Sequence, residues 1–304
     1  MKKKVGGLDR WKREGDLSGN RRFHPKVLGY IYCENKLGKD EKAFLKQAKK
    51  KNIEVVLFNI DKDINEDEIE KKAKKCDIIF NNSAEEFAWE FVKTLEELGK
   101  KVIDSSKTFY FTEDKWIFAL ASKEHNIPTP KTILLSEHIN IAKRELHEFN
   151  HWPVILKRIE GTCGEYVAKA KNLDEAETII NKFWKKGSER LPIIAQEMIN
   201  SPCYRVTVIG NEIVQTAIKN SHSWKKTGVY AKKIEKFQID NNLKKIINKI
   251  INICKINVCG IDLIKKDKEW LVLEVNSTPA FDFFENEREM LIGKVIDMLI
   301  KKIK

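Results

Sequence analysis

Two short apolar stretches near the C-terminus, joined by a lysine-rich turn, constrain this chain more than any other part of it. The segment from Gly260 to Pro279 reads GIDLIKKDKEWLVLEVNSTP. Its pattern predicts strands at 258–264 and 270–275 with a tight polar turn at 265–268. Each strand carries one carboxylate among aliphatic residues, Asp262 in the first and Glu274 in the second, and an amide follows at Asn276. Burying an unpaired acid is costly, so neither residue suits a plain core strand. Alternation puts Glu274 and Asn276 on one side of their strand, and a hairpin can bring Asp262 beside them. Two carboxylates and an amide oxygen make a hard donor set, suited to Mg²⁺ held jointly with nucleotide phosphates. Polar residues facing solvent at strand ends are the plainer explanation of the same letters.

Upstream the chain alternates strand and helix. Strands at 27–33, 54–59, 77–81 and 101–103 are separated by helices at 39–51, 66–75 and 84–98, an order that predicts a small open parallel sheet. A second unit follows: helix 113–125, an extended break at Ile127–Pro130, strand 132–135, helix 140–150, strand 153–157, a glycine loop at 160–165, strand 166–170 and helix 173–185. The remainder has strands 193–198, 205–209 and 212–219, a polar loop at 220–232, helix 241–254, the hairpin, and a last helix at 287–304. The expected division is a basic irregular arm at 1–25, an α/β unit at 26–108, a central unit at 109–192 and a C-terminal unit at 193–304. The fold class is therefore mixed, α+β with an α/β first part.

With 57 Lys and Arg against 45 Asp and Glu, the chain carries a formal charge of +12. A nucleic-acid partner would explain that, but lysines 46, 49–51, 71, 72, 74 and 75 are mixed with glutamates and lack interleaved aromatics. Solvated lysine faces account for them better, and the positive field would still attract ATP and acidic substrates. No apolar run approaches the ~20 residues of a membrane span, and no apolar segment follows the basic start, so a cytoplasmic location is expected. The six cysteines form no C-x-x-C pair, which speaks against a disulfide framework or zinc site.

Several further residues carry chemistry. Lys157 ends an apolar strand immediately before Glu160-Gly-Thr-Cys-Gly164, whose backbone amides around Gly161, Thr162 and Gly164 can cradle anionic oxygens. Arg205 can make forked contacts to phosphoryl oxygens. His147-Glu-Phe-Asn-His151 matches the H-E-x-x-H zinc pattern, but Pro153 opens a strand two residues later, which leaves His151 at a fraying helix end. A plausible Ser/Cys–His nucleophile is missing from the sequence.

The hairpin and the motifs before it, from about Phe111 to the C-terminus, resemble the ATP-grasp superfamily and specifically its RimK-type amino-acid ligases. Those enzymes carry G-[IV]-D and [LM]-E-V-N-x-[ST]-P strands. DKWIFALASKEHNIPTP is similar to the family's D-K-x…L…G-[IV]-P-x-P stretch, with Asn126 in place of glycine. The first unit matches the pre-ATP-grasp domain in architecture alone. The resemblance implies ATP and Mg²⁺ (or Mn²⁺), with two ions on Asp262, Glu274 and Asn276. It implies that Lys115, Lys157 and the glycine loop contact the nucleotide, and that Gln196, Glu197 and Met198 read adenine and ribose. Cys203 stands where the family more usually has an aspartate. Arg205 would face the transferring phosphoryl group. SHSWKK at 221–226 resembles the family's W-[RK]-[ST]-N loop, which makes Lys225 a catalytic candidate and His222 a substrate contact. The implied reaction joins a carboxylate to an amine such as glutamate through an acyl phosphate. The acceptor is a protein or a small molecule, and a homo-oligomer is one arrangement of the chain. An ATP-grasp kinase acting on a hydroxyl, and a non-catalytic basic module for RNA or ribosomes, are the alternatives.

Overall fold

The computed structural model describes residues 25–303 apart from 64, 162–163, 165, 187–189, 221–223 and 225–232. The first unit contains β1 (Val27–Tyr32), α1 (Lys39–Lys50), β2 (Glu54–Asn59), α2 (Glu66–Lys75), β3 (Ile78–Asn81), α3 (Glu86–Glu97) and β4 (Val102–Ile103). Its strands pair in parallel in the order β2-β1-β3-β4. Helices cover a parallel sheet on both faces, which is why β1 and β3 read as near-continuous apolar runs.

The helix expected at 113–125 is α5 (Lys115–Glu124), and a short helix absent from the sequence reading, α4 (Ser106–Thr112), precedes it. Asp114 breaks them apart: its carboxylate accepts the N–H groups of Trp116 (2.8 Å) and Ile117 (2.9 Å), capping α5. Asn126, just beyond α5, has φ +52°. That is a left-handed position that asparagine tolerates almost as glycine does, which explains the exchange seen in the sequence.

The central unit comprises β5 (Thr132–Leu135), α6 (Ile139–Phe149), β6 (Val154–Arg158), β7 (Val167–Ala170), α7 (Leu173–Lys186) and β8 (Ile193–Glu197). Its antiparallel sheet runs β5-β8-β6-β7. Because β8 lies between β5 and β6, this sheet extends past the boundary expected at residue 192. After α6, Asn150 adopts φ +44°, so His151 leaves the helix that carries His147. Its ring nitrogen Nε2 lies 3.3 Å from Lys131 Nζ.

The last unit has β9 (Cys203–Ile209), β10 (Glu212–Asn220), β11 (Lys233–Glu235), α8 (Asn241–Cys254), β12 (Val258–Lys266), β13 (Glu269–Asn276) and α9 (Arg288–Lys302). Its sheet is antiparallel in the order β11-β10-β9-β12-β13. α8 packs a row of isoleucines, among them Ile246, Ile247 and Ile250, on Val206, Ile261 and Val272. By contrast, α9 returns to the first unit, where Leu291, Val295 and Leu299 join Leu28, Phe44 and Ile78 in one core. Asp104 adds a polar clamp between these units, accepting the Asn257 N–H (2.8 Å), the Asn257 side-chain amide (2.6 Å) and the Val258 N–H (3.0 Å). Among the described residues, no helix is long and apolar enough to cross a membrane.

Candidate active site

The hairpin is longer than expected, β12 reaching Lys266 and β13 starting at Glu269, with Asp267 at φ +56° in the two-residue turn. Strand register builds the site. Asp262 lies opposite Glu274 on one side and opposite Arg205 on the other, and Gly260 lies opposite Asn276. Arg205, Asp262 and Glu274 therefore form a row across three strands on one face. Between Glu274 and Val272 the register slips, leaving Leu273 as a bulge residue.

Asp262 is almost fully buried and is held by two cations. Arg205 Nε donates to Oδ1 (2.7 Å) and Nη2 to Oδ2 (2.9 Å), while Lys219 Nζ donates to Oδ1 (2.7 Å). Burial alone would raise the Asp262 carboxyl pKa, but Arg205 and Lys219 outweigh it and hold it well below the usual carboxylate range. Lys219 itself is completely buried. The Phe283 ring covers both cations, its centroid 5.7 Å from the Arg205 guanidinium and 5.9 Å from Lys219 Nζ. Gly260 makes room for this arrangement: a Cβ there would lie 1.9 Å from Arg205 Nη1. The fork that sequence reading aims at a phosphoryl group is thus closed on Asp262.

Glu274 and Asn276 are differently placed. Both are half-buried. Asn276 donates its side-chain N–H to the Gly260 carbonyl at 3.3 Å, which directs its amide oxygen to other partners. The residues fit a divalent cation on chemical grounds. A carboxylate has about four acceptor positions, and three on Asp262 carry the Arg205 and Lys219 contacts, which leaves capacity on Oδ2. With the Glu274 carboxylate and the Asn276 oxygen, that makes an all-oxygen set. Among the described residues no three His, Cys, Asp or Glu group together as a metal site; the third donor here is an amide.

Facing the hairpin is a cleft lined by Lys115, Phe118, Lys157, Ile194, Gln196, Val272 and Leu273, among others. The bulge brings Leu273 into it. The space between these walls is closed down to about 10 Å³, so a nucleobase enters only if they part; apolar walls with two lysines are the chemistry that a nucleobase and its phosphates need. Lys157 Nζ donates to Gln196 Oε1 (2.8 Å), and the Gln196 amide donates in turn to Thr132 Oγ1 (3.0 Å). Burial lowers the Lys157 pKa, and the nearby Lys115 charge lowers it further against the pull of Glu274. Lys115 Nζ donates to the carbonyls of Gly161 (3.0 Å) and Ile159 (3.4 Å), tying the start of α5 to the glycine loop. Gly161 and Gly164 both have positive φ, +123° and +69°, backbone that glycine adopts freely. Glu197 accepts the Lys131 N–H (2.9 Å) and pairs with Lys266 (2.8 Å). Although burial would raise its pKa, these partners bring it below the ordinary value. Met198 follows β8 and is half-buried. Thr162, His222 and Lys225 lie outside the described residues.

Sequence reading passed over three participants. Lys219 could have been found by alternation along β10, where Gln215, Ala217 and Lys219 all face inward. Phe283 follows the hairpin in a segment of no regular pattern. Glu113 accepts Ser277 Oγ (3.1 Å) and so ties α4 to the end of β13; burial raises its pKa. No local pattern signals either of these two.

A family profile described as the RimK-like ATP-grasp domain matches residues 112–300. Among curated proteins, the chain is 25% identical over 267 residues to coenzyme gamma-F420-2:alpha-L-glutamate ligase of Methanocaldococcus jannaschii, covering 78% of this chain and 92% of the relative. It is 31% identical over 193 residues to the alpha-aminoadipate–LysW ligase LysX of Saccharolobus solfataricus, covering 62% and 69%. Among solved structures, a RimK domain ATP-grasp protein from Sphaerobacter thermophilus superimposes with a TM-score of 0.71 at 16% identity, covering 90% of this chain and 98% of that one. D-alanine–D-alanine ligase of Bacillus anthracis gives 0.69 at 15% identity, covering 91% and 96%.

Proposed function

The chain belongs to the RimK-like ATP-grasp family, and on that premise we propose that it is an ATP-dependent carboxylate–amine ligase. The observation that carries this reading is the cleft in which Lys115 and Lys157 face the hairpin bearing Glu274 and Asn276. Relatives named as glutamate and aminoadipate ligases point to the same chemistry.

In this reaction the terminal phosphoryl group of ATP passes to a substrate carboxylate oxygen, and ADP leaves. The amine nitrogen then attacks the acyl carbon, the C–O bond to phosphate breaks, and phosphate departs as the amide forms and the nitrogen loses its proton. Lys157 and Lys115 hold the nucleotide phosphates, with the loop amides around Gly161, Thr162 and Gly164 completing the cradle. Phe118, Ile194 and Leu273 exclude water from the base. Glu274, Asn276 and the remaining capacity of Asp262 would hold Mg²⁺ or Mn²⁺, one ion or two. When bound, such a cation neutralises phosphate charge and orients the phosphoryl group. Arg205 and Lys219, fixed by Asp262, add a preorganised positive field that needs no rearrangement during transfer. Lys225 contributes from the loop that resembles the family's substrate-facing stretch. Supply of ATP places the working enzyme in the cytoplasm.

The test is a panel of carboxylates with ATP and Mg²⁺, with ADP measured in the presence and absence of added amines. ADP release requiring both an acid and an amine supports the ligase. ADP release with a hydroxyl compound and no amine contradicts it.

A further inference from the structure

Asn276, the amide of the candidate metal set, is the last residue of β13, and β13 is an edge strand of its sheet. A residue at the free end of an edge strand has few ladder bonds to hold it and frays first. Among the described residues the Asn276 side chain makes one hydrogen bond, its 3.3 Å donation to the Gly260 carbonyl, just beyond the usual range for an N–H donor. Sheet register alone therefore leaves the amide oxygen loosely fixed, and its placement depends on support from outside the sheet.

Glu113 gives that support. Ser277, the residue after Asn276, is buried, and its hydroxyl donates to Glu113 Oε1 at 3.1 Å. Glu113 is itself anchored: its N–H bonds to the Phe109 carbonyl (2.9 Å) at the end of α4, and Phe109 is embedded in the core of the first unit. The two residues that follow serve the nucleotide half. Asp114 caps α5. Lys115 donates its N–H to the Ile159 carbonyl (3.0 Å) and its ammonium to the Gly161 carbonyl (3.0 Å). Three consecutive residues thus tie the end of the metal strand to the lysine and glycine loop that face the phosphates. Charge agrees with this placement. Burial raises the Glu113 pKa, the Ser277 hydroxyl and Lys115 lower it, and Glu274 raises it again, so its carboxylate lies within electrostatic reach of both Lys115 and Glu274.

We propose that Glu113 is a positioning residue for the metal site, holding Asn276 through Ser277 at a fixed distance from Lys115. It acts through the hydrogen bond and not through its charge: a carboxylate oxygen accepts the Ser277 hydroxyl, and a neutral amide oxygen in its place can accept the same bond. The cation on Asn276 belongs to the ligase reading, whereas the Glu113–Ser277 bond stands without it. Groups that orient a metal ligand in this way are typically worth about ten- to a hundredfold in metal affinity.

The experiment is titration of the full chain with Mn²⁺ in the presence of ADP, followed by loss of the free-ion electron paramagnetic resonance signal, so that no turnover is needed. Ser277→Ala and Glu113→Ala are each expected to weaken Mn²⁺ about tenfold, and the double variant no further than either alone. Glu113→Gln should stay within about twofold of the unaltered chain, because its amide oxygen still accepts from Ser277. ADP affinity without metal, read by calorimetry, should hold steady in Ser277→Ala, since Lys115 keeps its own anchors. Should Glu113→Ala fail to fold, Ser277→Ala and Glu113→Gln carry the test. Ser277→Ala binding Mn²⁺ as the unaltered chain does, Glu113→Gln as weak as Ser277→Ala, additive losses in the double variant, or no Mn²⁺ binding by the unaltered chain would each overturn the proposal. ADP release that needs no amine removes the ligase reading and leaves these binding results standing. Undiminished Mn²⁺ binding by Ser277→Ala in a working ligase does the reverse.

Discussion

Two carboxylates face each other across the hairpin and differ in almost everything else. Asp262 is nearly buried and carries Arg205 and Lys219; Glu274 is half-buried and has no hydrogen bond or ion pair among the described residues. The first is balanced by the fold, so its charge organises the site whatever is bound. The second is left open, so its charge is available to a ligand. Position along the strand separates them: Asp262 sits on β12 between β9 and β13, whereas Glu274 sits on the edge strand.

Asp262→Asn should abolish turnover, by about 10³-fold or more, and also destabilise the fold by about 3–5 kcal/mol, because two buried cations lose their counter-charge. Parallel melting and ADP assays read both effects. Glu274→Gln should lower turnover by about 10²-fold while changing stability by less than about 0.5 kcal/mol. Equal destabilisation by the two variants would erase the distinction between them.

Gly260→Ala tests the Arg205–Asp262 pair by crowding it. A Cβ 1.9 Å from Arg205 Nη1 must displace the guanidinium from Asp262. We expect a loss of about 1–3 kcal/mol in stability and a fall in kcat larger than the rise in KM for ATP. Unchanged melting and kinetics would show that Arg205 is not held as described.

The smallest effect concerns Asp104, a buried acid held by N–H groups instead of cations. Burial raises its pKa from the ordinary 3.8 to about 6, against the opposing pull of its Asn257 and Val258 hydrogen bonds. The folded carboxyl therefore holds its proton more tightly than the unfolded one. Its contribution is complete below about pH 4 and is lost as pH rises through about 6, amounting to at most about 3 kcal/mol. Urea unfolding across that range should show the decline, and Asp104→Asn should flatten it.

The sequence carried the hairpin, its two acids and the amide because a carboxylate inside an aliphatic strand is a conspicuous anomaly. The parallel first unit was equally legible, from near-continuous apolar strands alternating with amphipathic helices. Lys157 and the glycine loop were marked by their spacing. What the letters could not convey was pairing. That Arg205 and Lys219 close on Asp262 depends on the register of β9, β10 and β12, which is a long-range property. α4 was hidden because its seven residues, SKTFYFT, are too few to show a helical period. α9 likewise looks like the close of the last unit, yet it completes the core of the first.

On the ligase reading, a substrate carboxylate is activated as an acyl phosphate in the cleft between Lys157 and the hairpin. Oxygen-18 placed in the carboxylate tests it most directly. Once an acid that supports turnover is in hand, mass analysis of the released phosphate should find label transferred from the carboxylate in every turnover that yields an amide, and hydroxylamine in place of the amine should yield a hydroxamate. Phosphate free of label, together with a stable phosphorylated product that resists hydroxylamine, would contradict the account.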